Sequence, residues 1–263
     1  MTPTMETTAP GALFSLAGRR ALVTGGSRGI GAAIARLFAA AGAEIAICHL
    51  GDAAGASALA AEFEAAGRVL RAIECDVADE AAVAAMAAWA GETLGDVDIL
   101  VNCAGIGGRD KPFEAMTVAD WDRMIGVNLR GVFLVSHAFY PGMIARRYGR
   151  IVNIASQLAY KGAPGLSAYV AAKAGVVGLT RALSYEGAPH NVMVNGIAPG
   201  PVETPLLNQL SDEWRAMKMG QLPVGRFGEP EEIAPTALLL ASEVGAAFYA
   251  GQTLSPNGGD VMV

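Results

Sequence analysis

The sequence contains few aromatic residues and no long apolar run. Phe, Trp and Tyr make up 6% of its 263 residues, so the core must be built mainly from Ala, Val, Leu and Ile. No apolar segment approaches the roughly 18 residues that a membrane-spanning helix needs. The first residues, MTPTMETTAPGALFS, lack the basic start and the continuous apolar stretch of a secretory signal. We therefore expect no membrane association, and we interpret residues 1–15 as a flexible N-terminal extension.

Cysteine is also scarce, and no stripe of basic residues stands out. The three cysteines, Cys48, Cys75 and Cys103, lie 27 and 28 residues apart, a separation that matches no metal-ligand spacing. We interpret them as small core residues in a reducing compartment, which predicts a cytoplasmic protein without a metal site. The net charge of −6, with no cluster of Lys and Arg, disfavours a nucleic-acid partner.

Apolar runs alternate with Ala-rich helical stretches from residue 20 to the end of the chain. The strand-like runs are RALVT (20–24), EIAIC (44–48), VLRAIE (69–74), DILVN (98–102), RIVNIA (150–155), NVMVNGIA (191–198) and GQTLS (251–255). Strands that are apolar throughout, rather than at every second residue, are typical of a parallel sheet covered on both faces. The pattern predicts a single doubly wound, Rossmann-type α/β domain over residues 16–263, with about seven strands.

Two segments depart from this alternation. A long helical stretch, roughly residues 119–146, contains Pro141, which we expect to interrupt the helix. Residues 201–225 carry three prolines and the helix-capable run SDEWRAMKM, but no strand. A segment of this kind beside a crevice predicts a substrate lid.

A glycine-rich turn, VTGGSRGIGAAIA, follows the first strand and opens the first helix. Glycines in such a turn let the backbone approach a ligand closely, and the free N–H groups of the helix N-terminus then face a pyrophosphate. Because the turn lies between a predicted strand and a predicted helix, we expect it to bind a dinucleotide. The residues that we expect to contact the cofactor here are Gly25, Ser27, Arg28, Gly29, Ile30 and Gly31.

The residues after the second strand favour NADP(H) over NAD(H). An acidic residue at this position would accept a hydrogen bond from the adenosine ribose and repel a 2′-phosphate. The sequence has His49 and Leu50 there, with no carboxylate before Asp52. Arg28, in the glycine turn, is a suitable partner for a 2′-phosphate. Asp52 is the one nearby residue that could oppose this preference.

The ends of the third and fourth strands supply further candidate contacts to the cofactor. The run CDV places a carboxylate after the third strand, where it can accept from an adenine amino group. The alternative is that Asp76 caps the following helix, unless Asp79 does so instead. The run NCAGIGG forms a turn of small residues after the fourth strand. The predicted contacts at these two strand ends are Asp76, Val77, Asn102, Ala104 and Gly105.

Three residues near the fifth strand form a candidate catalytic group. Ser156 ends that strand, and Tyr169 and Lys173 lie four residues apart, on one face of the next helix. A cation one turn away favours the phenolate, so we expect Lys173 to lower the pKa of Tyr169. Tyr169 would then exchange a proton with a carbonyl oxygen to which Ser156 donates a hydrogen bond. Alternatively, the Tyr–Lys pair is an ordinary surface pair and the serine caps a turn.

The runs TGGSRGIG, NCAG, NIAS and YVAAK occur in the order and spacing of the short-chain dehydrogenase/reductase family, which this sequence resembles from about residue 16 to 260. The resemblance implies that Asn128 completes a catalytic tetrad, holding a helix break and a water that links Lys173 to solvent. It implies that Tyr169 and Lys173 also contact the cofactor, and that the nicotinamide is held by Pro199, Gly200, Val202 and Thr204. It further implies a homotetramer or homodimer.

Within that family, the sequence most resembles 3-oxoacyl-acyl-carrier-protein reductases, which implies reduction of 3-oxoacyl thioesters with NADPH. Of the two basic residues with which that subgroup meets its carrier protein, one matches Arg147 and the other falls on His190. The alternatives are a dehydrogenase of a free sugar, a polyol or a small secondary alcohol, and a non-catalytic regulatory protein that binds the cofactor. The expected substrate pocket is lined by Gln157, Leu158, Tyr160 and Leu207.

Overall fold

A computed structural model describes residues 13–107, 111–205, 207 and 211–262 of the chain. Its seven strands form one parallel sheet in the order β3-β2-β1-β4-β5-β6-β7. They are β1 (Arg20–Thr24), β2 (Glu44–His49), β3 (Leu70–Glu74), β4 (Ile99–Asn102), β5 (Gly149–Ile154), β6 (Val192–Ile197) and β7 (Thr253–Leu254). The predicted doubly wound α/β fold is confirmed.

Helices cover both faces of this sheet. They are α1 (Gly29–Ala40), α2 (Ala53–Ala65), α3 (Glu80–Thr93), α4 (Val118–Ile125), α5 (Gly131–Arg146), α6 (Leu158–Lys161), α7 (Ser167–Gly187), α8 (Asp212–Gln221) and α9 (Pro230–Ala241). On one face, Phe38 of α1 and Leu240 of α9 pack in one core cluster with Ile45 of β2. On the other face, Met86 of α3 packs with Leu100 of β4 in a second cluster. Alternate residues of β1, β2, β4 and β5 thus serve the two cores, which explains why these strands are mostly apolar.

The order of the strands reverses at β1, which pairs with β2 on one side and with β4 on the other. In an open sheet of this kind, the crevice that receives a ligand lies beyond the carboxyl ends of the strands at such a reversal. The glycine turn follows β1 and Ser156 follows β5, so both lie at this edge of the sheet.

The interruption predicted at Pro141 is wrong. Helix α5 continues through Pro141 to Arg146. A proline within a helix removes one N–H donor, and the helix gives up that hydrogen bond without ending there. The break lies earlier, where residues Gly126–Arg130 form one π-helical turn between α4 and α5. Asn128 lies within this turn.

All three cysteines are free. Cys48 lies on β2 and Cys75 directly follows the neighbouring strand β3, and both are buried. No group of His, Cys, Asp or Glu within the described residues is arranged to hold a metal ion. In the same part of the chain, no helix is long and apolar enough to span a membrane. Of the expected lid, the structure describes α8, whose first turn is capped by Ser211, together with residues 201–205, 207 and 222–225. Residues 1–12 of the expected extension lie outside the described residues.

Candidate active site

The glycine turn leaves the N-terminus of α1 open to a ligand. Gly25 and Gly29 have positive φ angles of 63° and 53°, which residues with a side chain rarely adopt. A Cβ atom on Gly31 would lie 2.3 Å from the carbonyl oxygen of Gly25, so no side chain fits there. No side chain caps α1, and its first N–H groups are therefore available to an anion. Ile30, at the start of the helix, packs against the core.

This turn lies against two other stretches that we expect to contact the cofactor. The hydroxyl of Thr24 accepts hydrogen bonds from the N–H groups of Cys103 and Ala104, each at 3.0 Å, and so joins the ends of β1 and β4. The side chain of Thr204 approaches to 3.3 Å from the position that a Cβ on Gly29 would take. The structure thus brings the turns after β1, β4 and β6 together.

Asp52 contacts both polar side chains of the glycine turn. Its Oδ2 accepts a hydrogen bond of 2.6 Å from the Ser27 hydroxyl and lies 3.8 Å from Nε of Arg28. Although Asp52 directly precedes α2, its carboxylate does not cap that helix. The sequence suggested that Asp52 could oppose the preference for NADP(H). Its carboxylate does lie directly at the predicted 2′-phosphate site. His49 is buried nearby, and its Nδ1 has no hydrogen-bond partner among the described residues.

Two further predicted contacts to the cofactor, Asp76 and Val77, directly follow β3 and Cys75. Asp79 caps α3 by accepting from the N–H of Ala82 at 2.9 Å, so Asp76 is not the cap. Asp76 instead accepts from the N–H of Ala78, two residues on, also at 2.9 Å. The side chain of Val77 is buried beneath α5, where it leaves no room for a Cβ on Gly131. Val77 can therefore meet a cofactor only through its backbone.

Asn102, the last residue of β4, is part of a buried hydrogen-bond network. Its Nδ2 donates to the hydroxyl of Ser136 at 3.0 Å and to Oδ1 of Asn153 at 2.8 Å. Asn153 in turn donates to the hydroxyl of Thr180 at 2.9 Å. The network connects β4, β5, α5 and α7, and its role here is to position the strand ends.

Ser156, Tyr169 and Lys173 lie together at the carboxyl end of β5. The hydroxyl of Ser156 lies near that of Tyr169, close enough to lower its pKa. Nζ of Lys173 lies 5.8 Å from the centroid of the Tyr169 ring and donates a 2.8 Å hydrogen bond to the carbonyl oxygen of Ile154. The N–H of Leu158 donates to Oγ of Ser156 at 3.2 Å, which fixes the serine side chain. The alternative of an ordinary surface pair does not hold, because Lys173 is buried.

Burial is the main influence on the pKa values of Tyr169 and Lys173. Burial raises the pKa of Tyr169 above its ordinary value, although the nearby hydroxyl of Ser156 acts in the opposite direction. Burial also lowers the pKa of Lys173 to about 8. The expectation that Lys173 lowers the pKa of Tyr169 is wrong for this structure, because removing the phenolate from water costs more than the neighbouring groups return.

Asn128 connects the helix break to the turn after β4. Its Oδ1 accepts from the N–H of Ile106 at 3.1 Å, and its Nδ2 donates to the carbonyl oxygen of the same residue at 3.0 Å. A Cβ on Gly105 would lie 2.7 Å from Oδ1 of Asn128 and 3.7 Å from Nζ of Lys173. Gly105 therefore lies between the two side chains, and only glycine allows the turn to pass there without displacing them.

A charged cluster that the sequence did not suggest lies beside Ser156. Nε2 of Gln157 donates to Oδ2 of Asp260 at 2.5 Å, and Oδ1 of Asp260 contacts Nζ of Lys161 at 2.7 Å and Nζ of Lys218 at 2.6 Å. We call Lys161, Lys218 and Asp260 the lysine-pair cluster. Its members come from α6, α8 and the segment after β7, and no local motif reveals residues this far apart in sequence.

The other predicted contacts to the nicotinamide and the substrate lie on α6 and in the segment after β6. The N–H of Gln157 donates to the carbonyl oxygen of Pro199 at 3.1 Å, which joins the turns after β5 and β6. Gly200 packs directly on the backbone of Asn257, and Val202 forms an isolated bridge with Gly228. The N–H of Leu207 donates to the carbonyl oxygen of Thr204 at 2.9 Å. Leu158 and Tyr160 are half-buried on α6.

The two residues matched to a carrier-protein contact lie elsewhere in the fold. Arg147 directly follows α5 and donates to the carbonyl oxygen of Pro189 at 3.0 Å, which places it beside His190. Arg147 precedes β5 and His190 precedes β6, so both lie at the amino ends of these strands. Within one chain they are at the opposite edge of the sheet from Ser156.

Comparisons with known proteins agree with this geometry. The family model described as Enoyl-(Acyl carrier protein) reductase matches residues 25–260, which include the glycine turn and the Ser–Tyr–Lys group. The chain belongs to the short-chain dehydrogenase/reductase family. It is therefore an NAD(P)-dependent oxidoreductase that acts on CH–OH or C=O groups.

The relatives in this family carry more than one substrate name. An acetoacetyl-CoA reductase of Rhizobium meliloti is 45% identical over 242 residues, covering 92% of this chain and 98% of the relative. The 3-oxoacyl-acyl-carrier-protein reductase FabG of Staphylococcus aureus is 40% identical over 244 residues, with coverages of 93% and 98%. A solved gluconate 5-dehydrogenase of Burkholderia cenocepacia, in complex with NADP and tartrate, is 38% identical, covers 96% of this chain and 98% of its own, and superimposes with a TM-score of 0.90.

Proposed function

We propose that this enzyme interconverts a carbonyl group and a secondary alcohol with NADP(H), and that Tyr169 is its general acid and base. The observation that carries the proposal is that buried Lys173 lies beside the ring of Tyr169 and bonds to the carbonyl oxygen of Ile154, two residues before Ser156. They lie at the edge of the sheet where the glycine turn leaves a helix N-terminus open. The close contacts of Gly31 and Gly25 fit a pyrophosphate, because only a turn without side chains allows that approach.

The cofactor would be held along the edge formed by the turns after β1, β4 and β6. Ser27 and Arg28 would bind the 2′-phosphate, the N-terminus of α1 the pyrophosphate, and Pro199 to Thr204 the nicotinamide end. When bound, the nicotinamide supplies or accepts the hydride. The gluconate 5-dehydrogenase with bound NADP supports the choice of NADP(H).

The chain's own residues would move the proton. The raised pKa of Tyr169 keeps its phenol protonated near neutral pH, as a proton donor to a carbonyl oxygen requires. The hydroxyl of Ser156 donates to the same oxygen while negative charge develops on it. Lys173 would hold the cofactor ribose and favour the phenolate once the proton has left. Asn128 holds the turn above Lys173 and would position the water through which the proton is replaced.

Two substrate classes have support. The curated relatives support the expected 3-oxoacyl thioester, because the relatives from Rhizobium meliloti and Staphylococcus aureus are both named as reductases of such thioesters. The solved gluconate 5-dehydrogenase supports a free sugar acid instead. The position of Arg147 and His190, at the far edge of the sheet, gives a carrier protein no direct route to Ser156 within one chain. We further propose a lid over residues 201–225, because this segment carries three prolines and no strand beside the crevice. Assembly as a homodimer or homotetramer is proposed because the family resemblance implies it.

The test is a rate measurement with a matched pair of tyrosine variants. NADPH oxidation is followed with acetoacetyl-CoA, and NADP+ reduction with D-gluconate, using the wild type, Tyr169→Phe and Tyr185→Phe. Tyr185 lies on the same helix but is 86% exposed, so its substitution leaves turnover intact. Loss of the general acid is expected to lower kcat by about 10²–10⁴-fold. Wild-type turnover in Tyr169→Phe would overturn the assignment.

A further inference from the structure

The lysine-pair cluster carries more positive than negative charge at a partly buried site. One carboxylate, that of Asp260, faces two ammonium groups, and its second oxygen is already taken by Gln157. The side chain of Lys218 is 9% exposed and that of Asp260 is 5% exposed. Within the described residues, Asp260 is the one acidic group that forms an ion pair with either lysine. The cluster therefore has a net positive charge, and some N–H donors of its two ammonium groups have no acceptor within the cluster.

The excess charge is costly for the protein alone. Burial and the neighbouring Lys161 both lower the pKa of Lys218, whereas its bond with Asp260 acts in the opposite direction. Burial by itself would raise the pKa of Asp260, but the hydrogen bonds from Lys161, Lys218 and Gln157 outweigh it and lower that pKa. A second carboxylate between the two ammonium groups would satisfy the donors that Asp260 leaves free.

The cluster is connected to Ser156 through neighbouring residues. Gln157 directly follows Ser156, and its backbone N–H is bonded to Pro199 of the turn after β6. Lys161 ends α6, the helix whose first residue donates to the Ser156 hydroxyl. Lys218 approaches from α8, on the segment expected to act as the lid. The side chain of Lys161 is 32% exposed, which leaves the cluster accessible from solvent.

A second, independent observation points to a ligand at this place. Gln157 is 4% exposed, and its Oε1 has no hydrogen-bond partner among the described residues, although its Nε2 is bonded to Asp260. A buried acceptor without a donor is costly and is rarely left so. A hydroxyl group of a substrate would supply that donor, within reach of the lysines that its carboxylate would occupy.

We infer that the lysine-pair cluster and Gln157 form a subsite for an acidic substrate. Lys161 and Lys218 bind the carboxylate of a short hydroxy acid or oxo acid, and Oε1 of Gln157 accepts a hydrogen bond from one of its hydroxyl groups. The inference rests on the proposed function, because it places the reacting carbon beside Ser156 and Tyr169. It selects a free acid over a thioester, since a thioester has no carboxylate at that position.

Binding to the enzyme–NADPH complex tests this inference without turnover, because an alcohol cannot oxidise NADPH. Calorimetric titrations compare D-gluconate with sorbitol and tartrate with threitol, pairs in which hydroxymethyl groups replace carboxylates. We expect the acids to bind at least about tenfold more tightly, because a hydrogen bond to a charged group is stronger than one to a neutral hydroxyl. Lys218→Met should remove most of that preference. Lys111→Met is the control, because Lys111 forms a similar ion pair with Asp120 at the surface.

Asp260→Asn separates binding from a purely structural role. Without its charge, both ammonium groups lack a counter-ion, so the acids should bind more tightly than to the wild type. If the cluster only held the fold together, Lys218→Met and Asp260→Asn would weaken binding alike. No acid preference in the wild type, an unchanged preference in Lys218→Met, or weaker acid binding to folded Asp260→Asn would each refute the inference.

The outcomes also separate this inference from the proposed function. Tyrosine-dependent turnover of acetoacetyl-CoA without an acid preference would leave the reaction standing and remove the subsite. An acid preference that depends on Lys218, in an enzyme whose turnover ignores Tyr169→Phe, would leave the subsite standing and remove the proposed general acid.

Discussion

Asp52 is expected to weaken the binding of NADPH, and replacing it with Asn should strengthen that binding selectively. The carboxylate takes the Ser27 hydroxyl at 2.6 Å and lies 3.8 Å from Nε of Arg28. A 2′-phosphate would have to compete with this carboxylate for the same two groups, and would also be repelled by it. NADH carries no phosphate at that position, so its binding depends little on Asp52.

The magnitude follows from the geometry. The Asp52 side chain is 21% exposed and that of Arg28 is 63% exposed, so solvent screens the ion pair and leaves it worth less than about 1 kcal/mol. Releasing the Ser27 hydroxyl from a charged acceptor for use by the phosphate contributes on the order of 1 kcal/mol more. The sum of about 1–2 kcal/mol corresponds to roughly 5–30-fold tighter binding of NADPH to Asp52→Asn.

The assay is a fluorescence titration of each reduced cofactor, which does not require a known substrate. Dissociation constants for NADPH and NADH are measured with the wild type, Asp52→Asn and Glu62→Gln. Glu62 pairs with Arg36 on the outer face of the helices, away from the glycine turn, and controls for the loss of one acidic charge. The reasoning is refuted if Asp52→Asn leaves the ratio of the two constants unchanged, or if NADH gains as much as NADPH. Rising ionic strength should shrink the effect, because the site is partly open to solvent.

Two further predictions concern Lys173 and its surroundings. The pKa of Lys173 is lowered to about 8. We therefore expect kcat/KM for carbonyl reduction to be constant at lower pH and to fall as the pH rises through about 8, because the Lys173 ammonium and then the Tyr169 phenol lose their protons. A value of kcat/KM that has not fallen by pH about 9 would contradict this. Gly105→Ala places a Cβ 2.7 Å from Oδ1 of Asn128 and should cost about 1–3 kcal/mol in the free energy of unfolding, together with most of the activity. Its control is Gly178→Ala, where nothing lies within 4 Å and the helix should gain about 0.5–1 kcal/mol; equal stability of the two variants in denaturant titrations would show that the close contact carries no energy.

The order of strands and helices could be predicted from the sequence because it depends on local composition. A strand covered on both faces must be apolar throughout, and a helix must repeat its apolar residues along one face, so each element leaves a pattern over a few neighbouring residues. The same holds for the glycine turn and for Tyr169 and Lys173, whose spacing of four places them on one helix face. All seven strands were expected within about two residues of their observed ends.

Other features depend on distances between residues that are far apart in sequence. Helix α5 passes through Pro141, which the local pattern did not predict. The break lies at Asn128, as the family resemblance implied, where the side chain bonds to the turn after β4. The protonation of Tyr169 follows from how much protein covers the ring, which a spacing cannot reveal.

The lysine-pair cluster shows the same division between sequence and structure. Asp260 meets Gln157 across 103 residues of chain and Lys218 across 42. The sequence by itself thus determined the fold and the class of chemistry, since both are encoded in short runs of residues. Only the tertiary structure decided which charged side chains lie together beside Gln157, because burial and ion pairing arise when distant segments pack together.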